Sequence, residues 1–144
     1  MDHPADLIRT ASGIVSSNTI ENAVWELPEV SAAAAFGLAV EGTRGDVAAV
    51  AIELREGQQL DAEALARKVG DDLDASSRPL LVRIVASLPT TAGYRVLKSA
   101  LRVEGLPGED IAAGRVLAWN RKERRYETLG DSSAAGLREV LGAA

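Results

Sequence analysis

The sequence predicts an α+β fold, a small and roughly three-stranded sheet flanked by helices with a short hairpin ahead of it. Three observations predict it. Two apolar stretches, residues 30–40 and 47–54, are separated by Glu41-Gly42-Thr43-Arg44-Gly45-Asp46, a turn signal with two glycines. Two other segments repeat apolar residues every three to four positions, the period of a helix with one buried face. A third apolar run, residues 80–85, is bounded by Pro79 and Pro89 and interrupted only by Arg83.

Taken in order, residues 7–14 read as two short strands around a turn at Ser12-Gly13. Asn18, with Glu21 three residues on, has the spacing of a capping box, so the first helix is expected to begin there. Ile20, Val24 and Leu27 form its apolar face and Pro28 stops it. The Ala-rich stretch 30–40 would suit a helix on propensity alone. The glycines around it and its β-branched partner favour a strand hairpin instead.

Asp61 reads as the N-cap of a second helix, with Leu65, Val69 and Leu73 turned inward, Ala62 and Ala66 beside them, and residues 74–79 breaking it. After strand 80–85, Leu88-Pro89-Thr90-Thr91 makes a turn, and a short helix over about residues 95–103 carries Val96, Leu97 and Leu101. Gly105-Leu106-Pro107-Gly108 marks a shift of composition. We therefore expect one domain over residues 1–105 and a tail over residues 106–144 packed on it. The tail holds a hairpin (116–119 and 125–129) and a last helix (133–141).

Length and composition narrow the function. The chain of 144 residues suits one domain, and 47% hydrophobic with 26% charged residues excludes disorder. Aromatics are only 3%, so the core must be built from Ala, Val, Leu and Ile. A net charge of −5 and a pI near 4.9 argue against nucleic-acid binding. The basic run Arg121-Lys122 and Arg124-Arg125, split by Glu123, reads as a solvated hairpin tip.

With no cysteine and a single histidine, His3, the chain lacks the parts for a disulfide, a thiolate site, a Ser-His-Asp triad or a multi-histidine metal centre. Asp71, Asp72 and Asp74 read as a solvated helix end rather than an ion cage, and no metal site is expected. Residues 42–45 lack the strand, lysine and helix of a phosphate-binding loop. Trp25 and Trp119 are expected to be packing residues. No apolar run approaches the roughly 20 residues of a membrane span, and the expectation is a cytoplasmic protein without a membrane span.

The order of these elements and several local sequences resemble the C-terminal domain of AMP-forming acyl-CoA synthetases, a small lid. Asp2-His3-Pro4-Ala5-Asp6-Leu7-Ile8-Arg9 resembles the family's hinge and the strand after it. Pro28-Glu29-Val30 is similar to its entry into the first long strand, and Phe36-Gly37-Leu38 with Gly45-Asp46 to its hairpin. Leu88-Pro89-Thr90-Thr91-Ala92-Gly93-Tyr94-Arg95-Val96-Leu97-Lys98 is similar to the closing motif. Its Thr-Thr-x-x-aromatic-basic form, with Leu101-Arg102-x-Glu104-Gly105 and the hairpin tail, looks closer to the fatty-acid transport protein and very-long-chain branch. The resemblance covers about residues 2–129.

The resemblance implies two-step chemistry. A fatty-acid carboxylate attacks the α-phosphate of ATP, giving acyl-adenylate and pyrophosphate, and the CoA thiol then displaces AMP. It further implies a lid that turns over a large N-terminal adenylation domain between the steps. ATP, Mg2+ and CoA belong to that parent enzyme, and the lid alone holds no cofactor and is inactive. Arg95 falls at the position of the family's adenylating lysine, in a loop with Thr91, Gly93 and Tyr94. It keeps the cation but differs in shape, and Tyr94 stands where most of the family has glycine.

For the second step, Arg9, Ser12 and Gly13 match the turn presented to CoA or AMP, with Ser12 where the family has glycine. Ala5 or Asp6 occupies the hinge pivot, and His3 replaces the usual arginine. Because the chain starts almost at the hinge, we expect part of a larger polypeptide, which as a full-length enzyme leaves association with a membrane surface open. The other reading is a non-catalytic module, degenerate or free-standing, that keeps the fold for interaction or assembly. The two readings part at Arg95.

Overall fold

Alternation of side chains along a short strand sets the first element. The computed structural model describes residues 7–10, 13–39, 46–73, 77–88, 98–104, 110, 113–120 and 123–128. Strands β1 (Leu7–Thr10) and β2 (Gly13–Ser16) form an antiparallel hairpin with Ile8 opposite Val15. Both of these are buried, while Leu7, Arg9 and Ile14 are exposed. Gly13 holds a φ of 130°, which L side chains rarely adopt, so its glycine is required by the turn.

Helix α1 (Ser17–Trp25) follows β2 without a loop and corrects two expectations. Its N-cap is Ser16, with no side-chain cap hydrogen bond, and Asn18 lies inside the first turn rather than at the cap. The hairpin delivers the chain straight into the helix, so strand geometry and not a capping box sets its start. Glu21 instead accepts a hydrogen bond from Ala35 N–H at 2.8 Å, covering a donor on the edge strand of the main sheet. Ile20, Val24 and Leu27 are buried as expected. Trp25 is 48% exposed and is not the packing residue expected, because it lies one position beyond Val24 and so about 100° around the helix.

The Ala-rich stretch is a strand. β3 (Val30–Ala39) pairs antiparallel with β4 (Asp46–Leu54), and small residues face each other at Ala34↔Ala51 and Gly37↔Ala48. Helix α2 (Ala62–Asp72) carries the chain from β4 to β5 (Leu81–Val85), which pairs parallel with β4. Asp61 Oδ1 accepts from Ala64 N–H at 3.0 Å, so the expected cap holds. Helix α3 (Lys98–Glu104) precedes β6 (Val116–Asn120) and β7 (Arg125–Thr128), an antiparallel pair that joins β5. The expected three strands are thereby continued by the tail hairpin into a five-stranded sheet of order β3-β4-β5-β6-β7. The tail helix expected at 133–141 lies outside the described residues.

Strands β3, β4, β5 and β6 each serve two cores. Ile8, Val15, Ile20, Val24, Val50, Ile52, Leu65, Val69 and Trp119 cluster on one face, covered by the hairpin, α1 and α2. Phe36, Val47, Leu81, Leu88, Leu101 and Val116 cluster on the other, beneath α3. Burial on both faces explains why β3 and β4 read as continuous apolar runs instead of alternating ones.

The tail is tied to the body by polar contacts at the end of α2. Arg78 donates to the carbonyls of Gly70 at 2.8 Å and Leu73 at 3.1 Å and lies 6.0 Å from the centre of the Trp119 ring. Tyr126 meets Trp119 edge-on at 5.0 Å and donates its hydroxyl to Pro79 O at 2.6 Å. Burial pushes the Tyr126 phenol far above its ordinary range. The unfolded chain would release this proton near pH 10 while the folded chain keeps it, so stability should fall as pH rises beyond about 10. Tyr126→Phe is expected to cost about 1–3 kcal/mol at neutral pH, by leaving Pro79 O unpaired. It should also flatten the alkaline loss, and urea unfolding at neutral and alkaline pH measures both effects.

Candidate functional site

Arg9 and Gly13 are the two candidate site residues within the described part. Arg9 is exposed on β1, opposite Ile14 across the hairpin and directed away from the buried Ile8. Arg9 and Ile14, with Leu7 at 38% and Ile14 at 66% exposure, form a cationic and apolar outer surface. Thr10 Oγ1 donates to Gly13 O at 2.9 Å and tightens the turn between them. Ala5, Asp6, Ser12, Thr91, Gly93, Tyr94 and Arg95 lie outside the described residues.

The two ends of the closing segment are nonetheless fixed. Leu88 is buried beneath α3, and its N–H donates to Glu53 Oε1 at 2.9 Å. Ser31 Oγ donates to the second oxygen of the same carboxylate at 3.4 Å. On the far side, Leu101 is fully buried and anchors α3. Arg102 pairs with Asp46 at 2.7 Å, holding α3 against the start of β4. Gly37 makes room for that pair, since a Cβ there would come within 2.5 Å of Asp46 Oδ2 and 3.0 Å of Asp46 Cβ.

Glu53 is expected to matter through this anchorage. Glu53→Ala leaves Leu88 N–H without its acceptor and should cost about 1–3 kcal/mol. Glu53→Gln keeps an acceptor and should recover most of the loss. Amide hydrogen exchange at Leu88 measures the difference, with faster exchange in the alanine variant.

The hairpin and the two anchors of the closing segment therefore belong to opposite faces of one sheet. Ile8 and Val15 of the hairpin sit in the core under α1 and α2, and Leu88 and Leu101 sit in the core under α3.

Sequence reasoning missed Glu53, the Arg102–Asp46 pair and Glu29. The last is a buried carboxylate that accepts from Asp61 N–H at 2.7 Å and so ties β3 to the start of α2. Asp72, part of the acidic cluster, pairs with Lys68 at 2.7 Å, and Lys68 also pairs with Glu26. Among the described residues no group of three His, Cys, Asp or Glu is placed to hold a metal.

A family model described as AMP-binding enzyme C-terminal domain matches residues 19–93. A medium/long-chain-fatty-acid–CoA ligase of Mycobacterium tuberculosis is 32% identical over 111 residues, which is 77% of this chain and 18% of that protein. The human long-chain fatty acid transport protein 5 is 28% identical over 104 residues, 72% of this chain and 15% of that protein. The chain thus spans less than a fifth of the length of these curated relatives. Among solved structures, the amide bond synthetase McbA of Marinactinospora thermotolerans matches with a TM-score of 0.61 and 29% identity, over 72% of this chain and 21% of that one. A Mycobacterium tuberculosis fatty acyl CoA synthetase shares the fold, with a TM-score of 0.61 and 24% identity over 69% of this chain and 19% of that one.

Proposed function

Because the chain belongs to the AMP-binding enzyme C-terminal domain family, we propose that it is the lid of an AMP-forming fatty-acid–CoA ligase. In this reading it turns over a large adenylation domain and offers a different face to each of two reactions. ATP with Mg2+, a fatty acid and CoA are the substrates and cofactors of the whole enzyme. Residues 1–105 form the lid and residues 106–144 a tail on it. The lid by itself catalyses neither step.

The observation that supports this reading is that the hairpin and the anchors of the closing segment, Leu88 and Leu101, lie in cores on opposite faces of the sheet. Regions carried on opposite faces would meet a single site on a larger partner in turn, through rotation of the domain. In the closing motif, the cation at Arg95 would meet the charge that develops between carboxylate and α-phosphate. On the hairpin face, the Arg9 guanidinium, flanked by Ser12 and Gly13, would meet a phosphate of CoA or AMP. Ala5 and Asp6 supply the pivot. No helix among the described residues is long and apolar enough to cross a membrane, and any attachment of the whole enzyme to a lipid surface would involve other parts of it.

The test measures the two half-reactions separately in the longer polypeptide. Arg9→Ala should slow thioester formation from acyl-adenylate about tenfold and leave pyrophosphate exchange unchanged. If both half-reactions fall together, or neither moves, the two-face reading is wrong.

A further inference from the structure

β4 is apolar from Val47 to Ile52 and then carries Glu53, an acidic residue that a strand packed on both faces must provide with partners. Alternation puts Glu53 on the side of Val47, Ala49 and Ala51, which belong to the core beneath α3. It is partly buried there. Its Oε1 accepts from Leu88 N–H at 2.9 Å, and its Oε2 accepts from the Ser31 hydroxyl at 3.4 Å.

Ser31 is placed by an irregularity in β3. Val30 pairs with Leu54 and Ala32 with Glu53, so Ser31 is an extra residue in β3 at that point. A bulge of this kind re-aims a side chain, and here the hydroxyl of Ser31 meets the carboxylate. On the other side of β4, Glu53 is the last residue in register with β5, opposite Val85. Leu88 follows Val85 by three residues and is 6% exposed. One carboxylate thus joins the bulge of β3, the end of β4 and the chain that leaves β5.

We propose that Glu53 is a positioning residue for adenylation, acting through the closing segment that begins at Leu88. This rests on the lid reading, in which Arg95 supplies the cation for that step. In sequence, Arg95 falls seven residues beyond Leu88, and α3 begins three residues beyond Arg95. With Glu53 present both ends of that stretch are held, so less freedom is lost when the cation is brought to a phosphate. Without it the Leu88 end lacks its backbone acceptor, and more conformations must be given up at each turnover. The hairpin packs in the other core, so thioester formation does not depend on Glu53.

The experiment compares the two half-reactions of the longer polypeptide carrying Glu53→Ala, Glu53→Gln, Arg95→Ala, or Glu53→Ala together with Arg95→Ala. Glu53→Ala should slow pyrophosphate exchange about tenfold, through kcat rather than KM, and leave thioester formation from preformed acyl-adenylate unchanged. Glu53→Gln should restore most of the rate. Its amide oxygen can accept from Leu88 N–H while its amide nitrogen donates to Ser31 Oγ. Arg95→Ala and the double variant should exchange at the same rate, because a residue that acts through Arg95 has nothing left to position.

A glutamate that only supported the fold would lower the folded fraction, and both half-reactions of Glu53→Ala would then fall together. That outcome overturns the proposal. Exchange at the unmodified rate in Glu53→Ala overturns it as well, and so does a further loss in the double variant. Arg95→Ala separates the two levels of failure. If it slows exchange while Glu53→Ala does not, only the role of Glu53 is lost. If it has no effect on exchange, the lid reading falls and the role of Glu53 with it.

Discussion

Replacing Arg95 with alanine in the longer polypeptide is expected to slow adenylation by about 10²–10³-fold, the effect of removing one preorganised charge-stabilising group from a reacting centre. Thioester formation from preformed acyl-adenylate should stay near normal, because the proposed function assigns that step to the hairpin and not to Arg95. In sequence, Arg95 falls between Leu88, held by Glu53, and α3, held by Leu101 and the Arg102–Asp46 pair. A cation on a segment tethered at both ends can be brought to a phosphate with little loss of freedom at the moment of reaction.

Arg95→Lys should retain much of the rate, since it keeps the cation on a slimmer stem. Pyrophosphate exchange reads the first step and thioester formation the second. Were Arg95→Ala to leave exchange intact in a folded enzyme, the assignment would fail and the non-catalytic module would become the better reading. The departures at Tyr94 and Arg95 from the usual closing motif make this the most informative substitution in the chain.

Phe36→Ala is expected to lower stability by about 3–5 kcal/mol, the range for truncating a buried aromatic side chain. Phe36 is 1% exposed and is the only phenylalanine in the chain. Ala34, Ala49 and Ala51 are among the residues of its cluster, and such short side chains cannot swing in to refill the space. The loss falls on the α3 face, because Trp119 and Tyr126 belong to the other core. Urea unfolding should show the loss in free energy, and the thermal midpoint should drop by about 10 °C or more. A change below about 1 kcal/mol would contradict the packing described for that face. Phe36→Leu, which leaves a smaller void, should cost less.

Much of the architecture was legible because its signals are local. The helical period of Leu65, Val69 and Leu73, the cap at Asp61, the paired glycines before Asp46 and the turn at Gly13 each depend on residues within a turn or two of one another. Where local spacing misled, a neighbouring element intervened. Asn18 and Glu21 have the spacing of a capping box, yet β2 runs directly into α1 and frees Glu21 to reach Ala35, 14 residues away. Trp25 follows the apolar face of α1 but falls outside it.

The groups that organise the candidate site were not legible, since their partners are distant along the chain. Glu53 meets Leu88 across 35 residues, Glu29 meets Asp61 across 32, and Arg83 meets Asp110 across 27. A single acidic or basic residue in an apolar run announces that it needs a partner, not which one. By itself the sequence determined the class of elements, their order, the family likeness and the identity of the cations at Arg9 and Arg95. Only the tertiary structure decided that the hairpin and the anchors of the closing segment lie on opposite faces, because the alternation of a five-stranded sheet, and not position along the chain, assigns each side chain its side.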